Sequence, residues 1–457
     1  MYNHSRQYRC TIIRGKSQRE MDNLLPLYAK IIDSVCPCNA EDFAIAFNNA
    51  FNAALTSNHT NKTIDNHRTE IAGKLFGMYY ISDDKIVYPS ERTRKFIADS
   101  DTPAFFKDIC YKMQFPNGSQ AKKTVIANVG NEINIRQFPF LLKVLLLARS
   151  NSITLTKKEI GYYILNSLDV LQGNASPSEV YDVIAADRLS GTERSIAPGS
   201  RATQHVNEQI NLLELANLII ITNGEVAINP RELDAIQLFA EKYADTPEFN
   251  VYAYNLARTN DRKRFYADWG LHFSRLSDPG RVRAFDTTAD ALGISVGTTH
   301  SGDAKQDSTL EIGDEGEKYV FDYEKRRVTA FNFRLAGKVI HLGKTRGLGY
   351  DIQSVVAKEG GSAEFVKYIE VKSTKRVTVP KINDSTCIDT LNMTRNEWVA
   401  SQQHGSSYSI FRVYFVRDSV IMYVLTDIAQ KYDRGEIQAV PTIYRLDFDK
   451  NAVDEVI

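Results

Sequence analysis

The chain has 457 residues, 43% of them hydrophobic and 25% charged, and its basic and acidic side chains are equal in number. This length allows about three domains, and the composition is that of a globular protein. The formal net charge of zero excludes a polycation that binds nucleic acid through bulk charge, so any DNA contact must use local basic patches and base edges.

Several other classes of protein are disfavoured by local patterns. The longest apolar run, Phe138 to Ala148, is too short to cross a bilayer and contains Lys143. The N-terminal segment lacks the apolar core of a signal peptide. The cysteines form neither a C-x-x-C pair nor a zinc spacing, which favours a reduced, cytoplasmic setting. The short apolar run predicts no membrane partner. The sequence has no G-x-x-x-x-G-K-[ST] loop, so we predict no ATP-driven motor in this chain.

Two similar helix–hairpin units are predicted in the N-terminal half of the chain. Residues 75–89 read L-F-G-M-Y-Y-I-S-D-D-K-I-V-Y-P, and residues 215–230 read L-A-N-L-I-I-I-T-N-G-E-V-A-I-N-P. In each unit a helix ends at a residue that tolerates the left-handed conformation, Gly77 or Asn217, and two strands flank a polar turn. This pattern predicts tandem winged helices in residues 1–150 and 151–250 of a mainly α-helical region. Helix–hairpin units that do not bind DNA have the same pattern.

The second unit offers a candidate recognition helix. We predict helices over Thr156–Leu171 and Ser176–Arg188, followed by the recognition helix over Thr203–Ala216. The early polar residues here have side chains that can reach base edges or phosphates. They are Arg201, Gln204, His205, Asn207 and Gln209. The alternative is a solvated helix face.

Residues 251–310 are predicted to be an irregular connector. Basic side chains, among them Arg262 and Lys263, interleave with aromatic ones such as Tyr266 and Trp269, a mixture that suits contacts along a phosphate backbone. Acidic neighbours dilute this cluster, so a solvated surface is the alternative. The stretch Gly293–Ser308, rich in Gly, Ser, Thr and Asp, is predicted to be an interdomain linker.

Residues 311–457 are predicted to form a compact α/β domain with a mixed sheet flanked by helices. The helices are expected over Glu311–Lys325 and Thr394–Gln403. The strands are expected over Val328–Phe333, Lys338–Leu342, Tyr350–Val356, Phe365–Lys372, Tyr408–Val416 and Val420–Leu425.

Two of these strands have residues suited to phosphodiester chemistry. Asp351 opens one strand, and Glu370 and Lys372 lie two apart in the next, so the latter pair must share a sheet face. Two carboxylates and a lysine on one face suit metal-dependent cleavage of a phosphodiester, with Mg²⁺ as the cofactor and Mn²⁺ as a substitute. A strand-entry aspartate and an exposed ion pair are the alternatives.

The same segment resembles known families. The order D…E-V-K resembles the PD-(D/E)xK nucleases, and the segment from Gly313 to Asp427 resembles the C-terminal domain named for the plant protein NO VEIN. The motifs behind this resemblance are Gly313-x-x-Gly316-Glu317-x-x-Val320-x-x-Tyr323-Glu324, G-L-G-Y-D-I-Q-S at 347–354, I-E-V-K at 369–372 and T-R-N-E at 394–397. The resemblance implies metal ligation by Asp351 and Glu370, a catalytic Lys372 and a further acidic site residue, Glu317. No proline precedes Asp351, which departs from the superfamily pattern.

The upstream region resembles restriction endonucleases of the AlwI type, through R-Q-F-P-F-L-L at 136–142 and L-T-K-K-E-I at 155–160. Together these features predict a sequence-specific restriction endonuclease that hydrolyses double-stranded DNA. Double-strand cleavage then implies a homodimer on DNA, transient pairing or sequential nicking, and a partner methyltransferase would protect host DNA. The alternatives are a modification-dependent nuclease and a DNA-binding regulator with an inactive nuclease fold. We predict that Glu397 caps a helix, with a catalytic role as the alternative, and that His341 is structural, with a role as a ligand as the alternative.

Overall fold

The structure is a computed structural model. It describes residues 6–13, 15–54, 60–196, 199–294, 308–343, 347–360, 362–383, 387–440 and 444–457. The linker predicted over Gly293–Ser308 lies almost entirely outside the described residues. Among the helices described, none combines the length and the apolar character needed to cross a membrane.

The N-terminal region, to residue 294, is mainly helical. Its α-helices are α1 (Gln18–Val35), α2 (Ala40–Ala54), α3 (Asn61–Asn66), α4 (Glu91–Asp99), α5 (Thr102–Lys112), α6 (Lys122–Gly130), α7 (Gln137–Ser150), α8 (Lys157–Glu159), α9 (Leu168–Leu171), α10 (Pro177–Leu189), α11 (Ser200–Leu215), α12 (Leu233–Ala240), α13 (Thr259–Ser274), α14 (Pro279–Phe285) and α15 (Ala289–Leu292). Its strands are β1 (Cys38–Asn39), β2 (Tyr79–Ile81), β3 (Ile86–Pro89), β4 (Leu155–Thr156), β5 (Ile219–Thr222) and β6 (Glu225–Ile228). π-Helical segments span His67–Leu75 and Ile160–Leu165, and 3₁₀ turns span Pro230–Glu232 and Val251–Ala253.

Both predicted hairpins are present, and each belongs to a three-stranded sheet. The sheets have the orders β1-β3-β2 and β4-β6-β5, so in both units the second hairpin strand is central. Gly77 and Asn217 end the preceding helices with φ of +58° and +59°, in the left-handed region that these residues tolerate. One hydrophobic core runs from Cys10 to Phe285 and joins the two units. The two units therefore have the same strand arrangement and pack as one body.

The prediction of an irregular connector is wrong for residues 259–285. This stretch contains helices α13 and α14, and Phe265, Trp269 and Phe273 of α13 are buried in the shared core. These three aromatic residues recur every four positions, which is helical spacing. The interleaved arginines and lysines made this periodicity hard to see in the sequence.

The C-terminal region contains a mixed sheet, as predicted. Its helices are α16 (Ser308–Phe331), α17 (Arg395–His404) and α18 (Ile428–Asp433), with 3₁₀ segments at Phe333–Lys338 and Gly405–Ser407. Its strands are β7 (Ile340–His341), β8 (Ile352–Val355), β9 (Val366–Arg376), β10 (Asp389–Met393), β11 (Tyr408–Val416), β12 (Ser419–Thr426), β13 (Ile437–Val440), β14 (Tyr444–Phe448) and β15 (Glu455–Val456). The six-stranded sheet has the order β15-β12-β11-β9-β8-β7, in which β9 and β11 are parallel and the other pairs antiparallel. A second sheet has the order β10-β14-β13.

The strand predicted over Val328–Phe333 is wrong, because α16 continues to Phe331. Val320 and Val328, eight positions apart on this helix, are both buried in the core under the six-stranded sheet. Two full helical turns separate them, so Val328 extends the buried face of the helix. The β-branched side chain of Val328 favours a strand, but its burial on the apolar face of the helix outweighs this preference.

The strand β9 connects the two regions of the protein. At its C-terminal end, Thr374 Oγ1 donates to the carbonyl oxygen of Ser100 at 2.8 Å, and Arg376 Nη2 donates to Asn23 Oδ1 at 2.8 Å. A further contact joins Arg417, after β11, to Asn217, with an Nη2–Oδ1 distance of 2.8 Å. The strand with Glu370 and Lys372 is thus anchored on the N-terminal region.

Candidate active site

A cavity of about 400 Å³ lies between the two regions. One wall is the sheet face of β9 with residues of β10 and β11, and the other is formed by α1 and the end of α4. Six acidic and three basic side chains line it, which are Asp99, Glu317, Asp351, Glu370, Asp389, Glu397, Lys30, Lys372 and Arg412. The cavity therefore contains Asp351, Glu370 and Lys372, which we predicted to be catalytic. It also contains Glu317, which we predicted to be a further acidic residue of the site.

The pairing of β8 with β9 sets the positions of the two predicted metal ligands. Ile352 pairs with Ile369 in an antiparallel register, which puts Asp351, the residue before β8, beside Glu370. The backbone N–H of Val371 donates to Asp351 Oδ2 at 2.8 Å and fixes this carboxylate. Ile352, Ile369 and Val371 are buried in the core on the opposite face. The alternation of the sequence thus directs the polar side chains to the cavity.

Lys372 and Glu370 share a face, as their spacing predicts. The distance from Lys372 Nζ to Glu370 Oε1 is 2.6 Å, and the Glu370 side chain is only 4% exposed. Burial would lower the pKa of Lys372, but Glu370 and Glu397 together raise it above its usual value. Lys372 is therefore held as an ammonium ion.

The carboxylates of the cavity repel one another. Burial raises the pKa of Asp351 to about 6, and the neighbouring charge of Glu317 adds to this effect. Burial also raises the pKa of Glu370 well above its usual value, since Lys372 offsets only part of the cost and Asp351 adds to it. Burial is thus the larger cause of both raised pKa values, and repulsion between the carboxylates adds to it.

Glu317 reaches this cavity from α16 because the helix packs closely on β9. A Cβ added at Gly316 would lie 1.7 Å from Ser373 Oγ, so a side chain at this position would push the helix away. Glu317 Oε2 lies 2.8 Å from Nε2 of His341, which is on β7. The predicted acidic residue is thus brought to the site, and His341 contacts it.

Glu397 contacts both Thr394 and Lys372, and only its contact with Thr394 was predicted from the sequence. Its Oε2 accepts a hydrogen bond from the Thr394 backbone N–H at 3.0 Å, and its own N–H donates to Thr394 Oγ1 at 3.3 Å, which confirms the predicted capping box. The same Oε2 lies 2.8 Å from Lys372 Nζ. A Cβ at Gly349 would lie 2.4 Å from the Asn396 carbonyl oxygen, so the turn before Asp351 packs directly on this helix end.

A buried ion pair beside Lys372 was not predicted from the sequence. Arg412 Nε and Nη2 donate to the two carboxylate oxygens of Asp389 at 2.5 and 3.1 Å, and Nη1 donates to the Lys372 carbonyl oxygen at 3.2 Å. Arg412 pairs with Lys372 across the parallel strands. Against the effect of burial, Arg412 holds the pKa of Asp389 below its usual value. The pair therefore supports the backbone of β9 next to the site.

The donors of the cavity fit a hard divalent cation. Mg²⁺ commonly binds proteins through one or two carboxylates and completes its shell with waters and substrate phosphates. Asp351 and Glu370 are two such carboxylates, and both line the cavity. In the described part of the chain, no group of three or more His, Cys, Asp or Glu side chains is arranged to hold a metal ion. A cation held by Asp351 and Glu370 would therefore complete its shell with waters and substrate oxygens.

The side chains of the candidate DNA-binding residues differ in how exposed they are to solvent. On α11, Arg201 is exposed, and Gln204, His205 and Asn207 are half-buried. Gln209 is fully buried, and its Nε2 donates to the carbonyl oxygen of His205 within the helix at 3.3 Å. The prediction that Gln209 reaches DNA is therefore wrong, because this polar side chain lies on the core face of the helix.

On α13, Lys263 is exposed, whereas Arg262 is half-buried. Arg262 Nη1 donates to the carbonyl oxygen of Leu256 at 3.2 Å, and its Nη2 donates to Thr259 Oγ1 at 3.3 Å. Arg262 therefore supports the start of its own helix, and Lys263 is the more accessible cation.

Two family models match the chain. The one described as the N-terminal part of restriction endonuclease BpuJI matches residues 2–270, and the one described as the C-terminal part of protein NO VEIN matches residues 316–425. The predicted resemblance to NO VEIN is confirmed. The resemblance of the upstream region to restriction endonucleases is also confirmed, although the matching model is described as BpuJI and not as the AlwI type.

Among solved structures, the chain is similar to the BpuJ1 endonuclease binding domain, crystallised in complex with pyrene- and phenanthrene-modified DNA. The sequence identity is 51% and the TM-score 0.58, and the match covers 60% of this chain and 100% of that one. No curated protein matches the chain significantly.

Proposed function

The chain belongs to the family described as the N-terminal part of restriction endonuclease BpuJI, and from this premise we propose that it is a sequence-specific restriction endonuclease. The N-terminal region would bind the DNA sequence, and the C-terminal region would hydrolyse a phosphodiester as a PD-(D/E)xK nuclease. The observation that supports this most is the placement of Asp351, Glu370 and Lys372 in one cavity bordered by the DNA-binding region.

Mg²⁺ is the cofactor that we propose, held by Asp351 and Glu370. The cavity has twice as many acidic as basic side chains, so a DNA phosphate could enter it only with added positive charge. When bound, the cation would lower the pKa of a water and neutralise charge on the scissile phosphate. Asp351 is pre-positioned for this role by the N–H of Val371.

Lys372 is proposed to orient the attacking water and to stabilise the negative charge that develops on the phosphate. Its ammonium has three N–H groups, and two of them face Glu370 and Glu397 at 2.6 and 2.8 Å. The side chain is 21% exposed, on the cavity side of the sheet. A half-buried, charged lysine that reaches an open cavity suits contact with a polyanionic substrate.

We propose that the two three-stranded units are winged helices and that α11 reads bases in the major groove. Arg201, Gln204, His205 and Asn207 would make these contacts, and Lys263 would contact phosphates. The similarity to a binding domain crystallised with DNA supports this division. Gln209 is excluded from the set because it is buried.

Cleavage of both strands by a chain with one site of this kind requires pairing on DNA or sequential nicking, so we propose that two copies act together. A DNA methyltransferase with the same specificity would protect the host. Both partners, the second copy of the chain and the methyltransferase, are inferred from the proposed reaction.

The test is cleavage of a plasmid library, prepared with and without methylated bases, by the full-length protein. We expect cutting with Mg²⁺ or Mn²⁺, binding without cutting in Ca²⁺, and no cutting in excess chelator. Cutting of methylated plasmids alone would instead indicate a modification-dependent nuclease. Specific binding without cutting under all conditions would indicate a regulator with an inactive nuclease fold.

A further inference from the structure

Glu397 has a partner that helix capping does not require. A capping box is complete when the carboxylate at the third helical position accepts the N–H of the cap residue, and Glu397 makes this bond with Thr394. Its carboxylate is nevertheless directed at the cavity, is only 13% exposed and lies 2.8 Å from Lys372 Nζ. The capping box of α10, between Ser176 and Glu179, is also complete, and there the carboxylate is exposed.

The ammonium of Lys372 lies between two carboxylates with different anchors. Glu370 is its neighbour on β9, and Glu397 comes from α17, where the Thr394 N–H fixes it. Among the described residues, these two carboxylates are the acidic partners of the ammonium. The lysine is thus positioned from its own strand and from a helix packed beside the turn before Asp351.

The two carboxylates differ in what a bound cation would do to them. If Asp351 and Glu370 hold Mg²⁺, much of the negative charge of Glu370 is shared with the cation, and the cation repels the ammonium. Glu370 then attracts Lys372 less strongly. Glu397 is outside the proposed ligand pair, so its attraction for the ammonium remains.

We propose that Glu397 is a positioning residue that keeps Lys372 directed at the scissile phosphate when Glu370 binds the cation. This inference rests on the proposed nuclease function. Glu397 acts through Lys372, because one carboxylate oxygen, Oε2, both accepts the Thr394 N–H and contacts the ammonium, so the cap holds that oxygen beside Lys372. The capping motif thus has a second role in the active site.

The positioning role and the capping role of Glu397 can each be tested with a separate variant. Glu397→Gln keeps an oxygen that can accept the Thr394 N–H, since glutamine also completes a capping box, and it removes the charge beside Lys372. Thr394→Ala removes half of the capping box and leaves the Glu397 carboxylate in place. Glu159→Gln is a matched control, since Glu159 completes the capping box of α8 and pairs with Arg188 at 2.6 Å, and it is absent from the cavity lining.

The experiment measures single-turnover cleavage, with saturating enzyme and Mg²⁺, of a plasmid that the wild-type full-length protein cuts. The dissociation constant for the same DNA in Ca²⁺ and the melting temperature are measured in parallel. Glu397→Gln should lower the cleavage rate about 10- to 100-fold, as loss of a supporting contact to an active-site group does, with unchanged DNA affinity and melting temperature. Thr394→Ala should lower the melting temperature and leave the cleavage rate within about threefold of wild type.

The outcomes separate the two proposals. Wild-type cleavage rates for Glu397→Gln would overturn this inference and leave the nuclease function intact. Equal losses of rate for Glu397→Gln and Thr394→Ala, in step with their melting temperatures, would also overturn it, because capping would then explain both. A wild-type protein that cuts no DNA would overturn the nuclease function and, with it, the role of Glu397. A selective loss in Glu397→Gln, with Glu159→Gln at the wild-type rate, would support the positioning role.

Discussion

The backbone N–H of Val371 donates a hydrogen bond to Asp351 Oδ2 at 2.8 Å, which joins the turn before β8 to the strand with Glu370 and Lys372. Asp351 is thereby held in place before any cation or DNA binds. Such pre-positioning of a ligand reduces the reorganisation that binding would otherwise require.

Asp351→Asn should keep this hydrogen bond, because the amide oxygen can accept it, and should remove the charge that we propose binds Mg²⁺. Cleavage should fall at least about 100-fold, as expected when a charge that stabilises the transition state is lost. Affinity for DNA in Ca²⁺-free buffer should be unchanged or higher, because a negative charge near the phosphates is removed. Single-turnover cleavage and gel-shift titrations measure the two effects.

Glu364→Gln is the control for Asp351→Asn, since Glu364 is exposed in the turn before β9 and pairs with Lys338 on the surface. Its cleavage rate should equal that of wild type. Full activity of Asp351→Asn would remove Asp351 from the mechanism.

The proposed base reading by α11 leads to a second prediction. Asn207→Ala or Gln204→Ala should weaken binding to the target sequence by about 1–3 kcal/mol and change binding to random DNA little, as is typical of a lost base contact. Competition gel shifts with target and scrambled duplexes measure the specific-to-nonspecific ratio. An unchanged ratio in both variants would place the recognition helix elsewhere, with the first hairpin unit as the next candidate.

Lys263→Ala, on α13, provides the contrast to the two α11 variants. The exposed ammonium of Lys263 is proposed to contact a phosphate, so its loss should weaken target and random DNA alike. The slope of log affinity against log salt should fall by about 1. A change confined to the target duplex would contradict the phosphate assignment.

The buried pair of Asp389 and Arg412 leads to a stability prediction. Asp389→Ala leaves the Arg412 guanidinium buried without its bidentate partner, which should lower the free energy of unfolding by about 3–5 kcal/mol. Combining it with Arg412→Met should recover part of this loss, because neither charge of the pair then remains. Chemical denaturation of the three proteins measures the difference, and a double variant less stable than Asp389→Ala would contradict the explanation.

His272 on α13 should make folding sensitive to acid. Burial, with the nearby charge of Lys112 and the arginines Arg92 and Arg275, lowers its pKa from 6.5 to about 4. As the pH falls from about 6.5 to about 4, the unfolded chain takes up the proton first, so stability is lost in this window. The loss from this residue should reach roughly 3 kcal/mol.

The comparison of wild type with His272→Gln isolates this effect from other groups that titrate at acid pH. The free energy of unfolding of the variant should fall less between pH 7 and pH 4 than that of wild type. Parallel curves for the two proteins would show that His272 is not held neutral in the fold.

Much of the site could be predicted because strand alternation fixes faces. Glu370 and Lys372 had to share one, and the apolar neighbours Ile369 and Val371 identified the other. Gly77 and Asn217 similarly indicated where the helix before each hairpin ends, because few other residue types readily adopt a positive φ.

The residues that were not predicted depend on tertiary partners. Arg412 is beside Lys372 only because β11 runs parallel to β9, and no local pattern specifies that pairing. Glu397 has a complete local role as a cap, so its contact with Lys372 could not be predicted from the capping motif alone. Gln209 is polar but lies on the core face of α11, where the burial of its neighbours outweighs its preference for water. The helix α13 was missed since its charged residues obscured the aromatic face.

The most direct test of the account is to sequence the DNA ends that the full-length protein produces from a large plasmid or genomic DNA in Mg²⁺. We expect ends that cluster close to one short sequence, and no such ends with Asp351→Asn. Asn207→Ala should reduce cutting at that sequence more than elsewhere. Ends scattered without a shared sequence, or clusters that persist with Asp351→Asn, would contradict cleavage of a specific sequence at the Asp351 site.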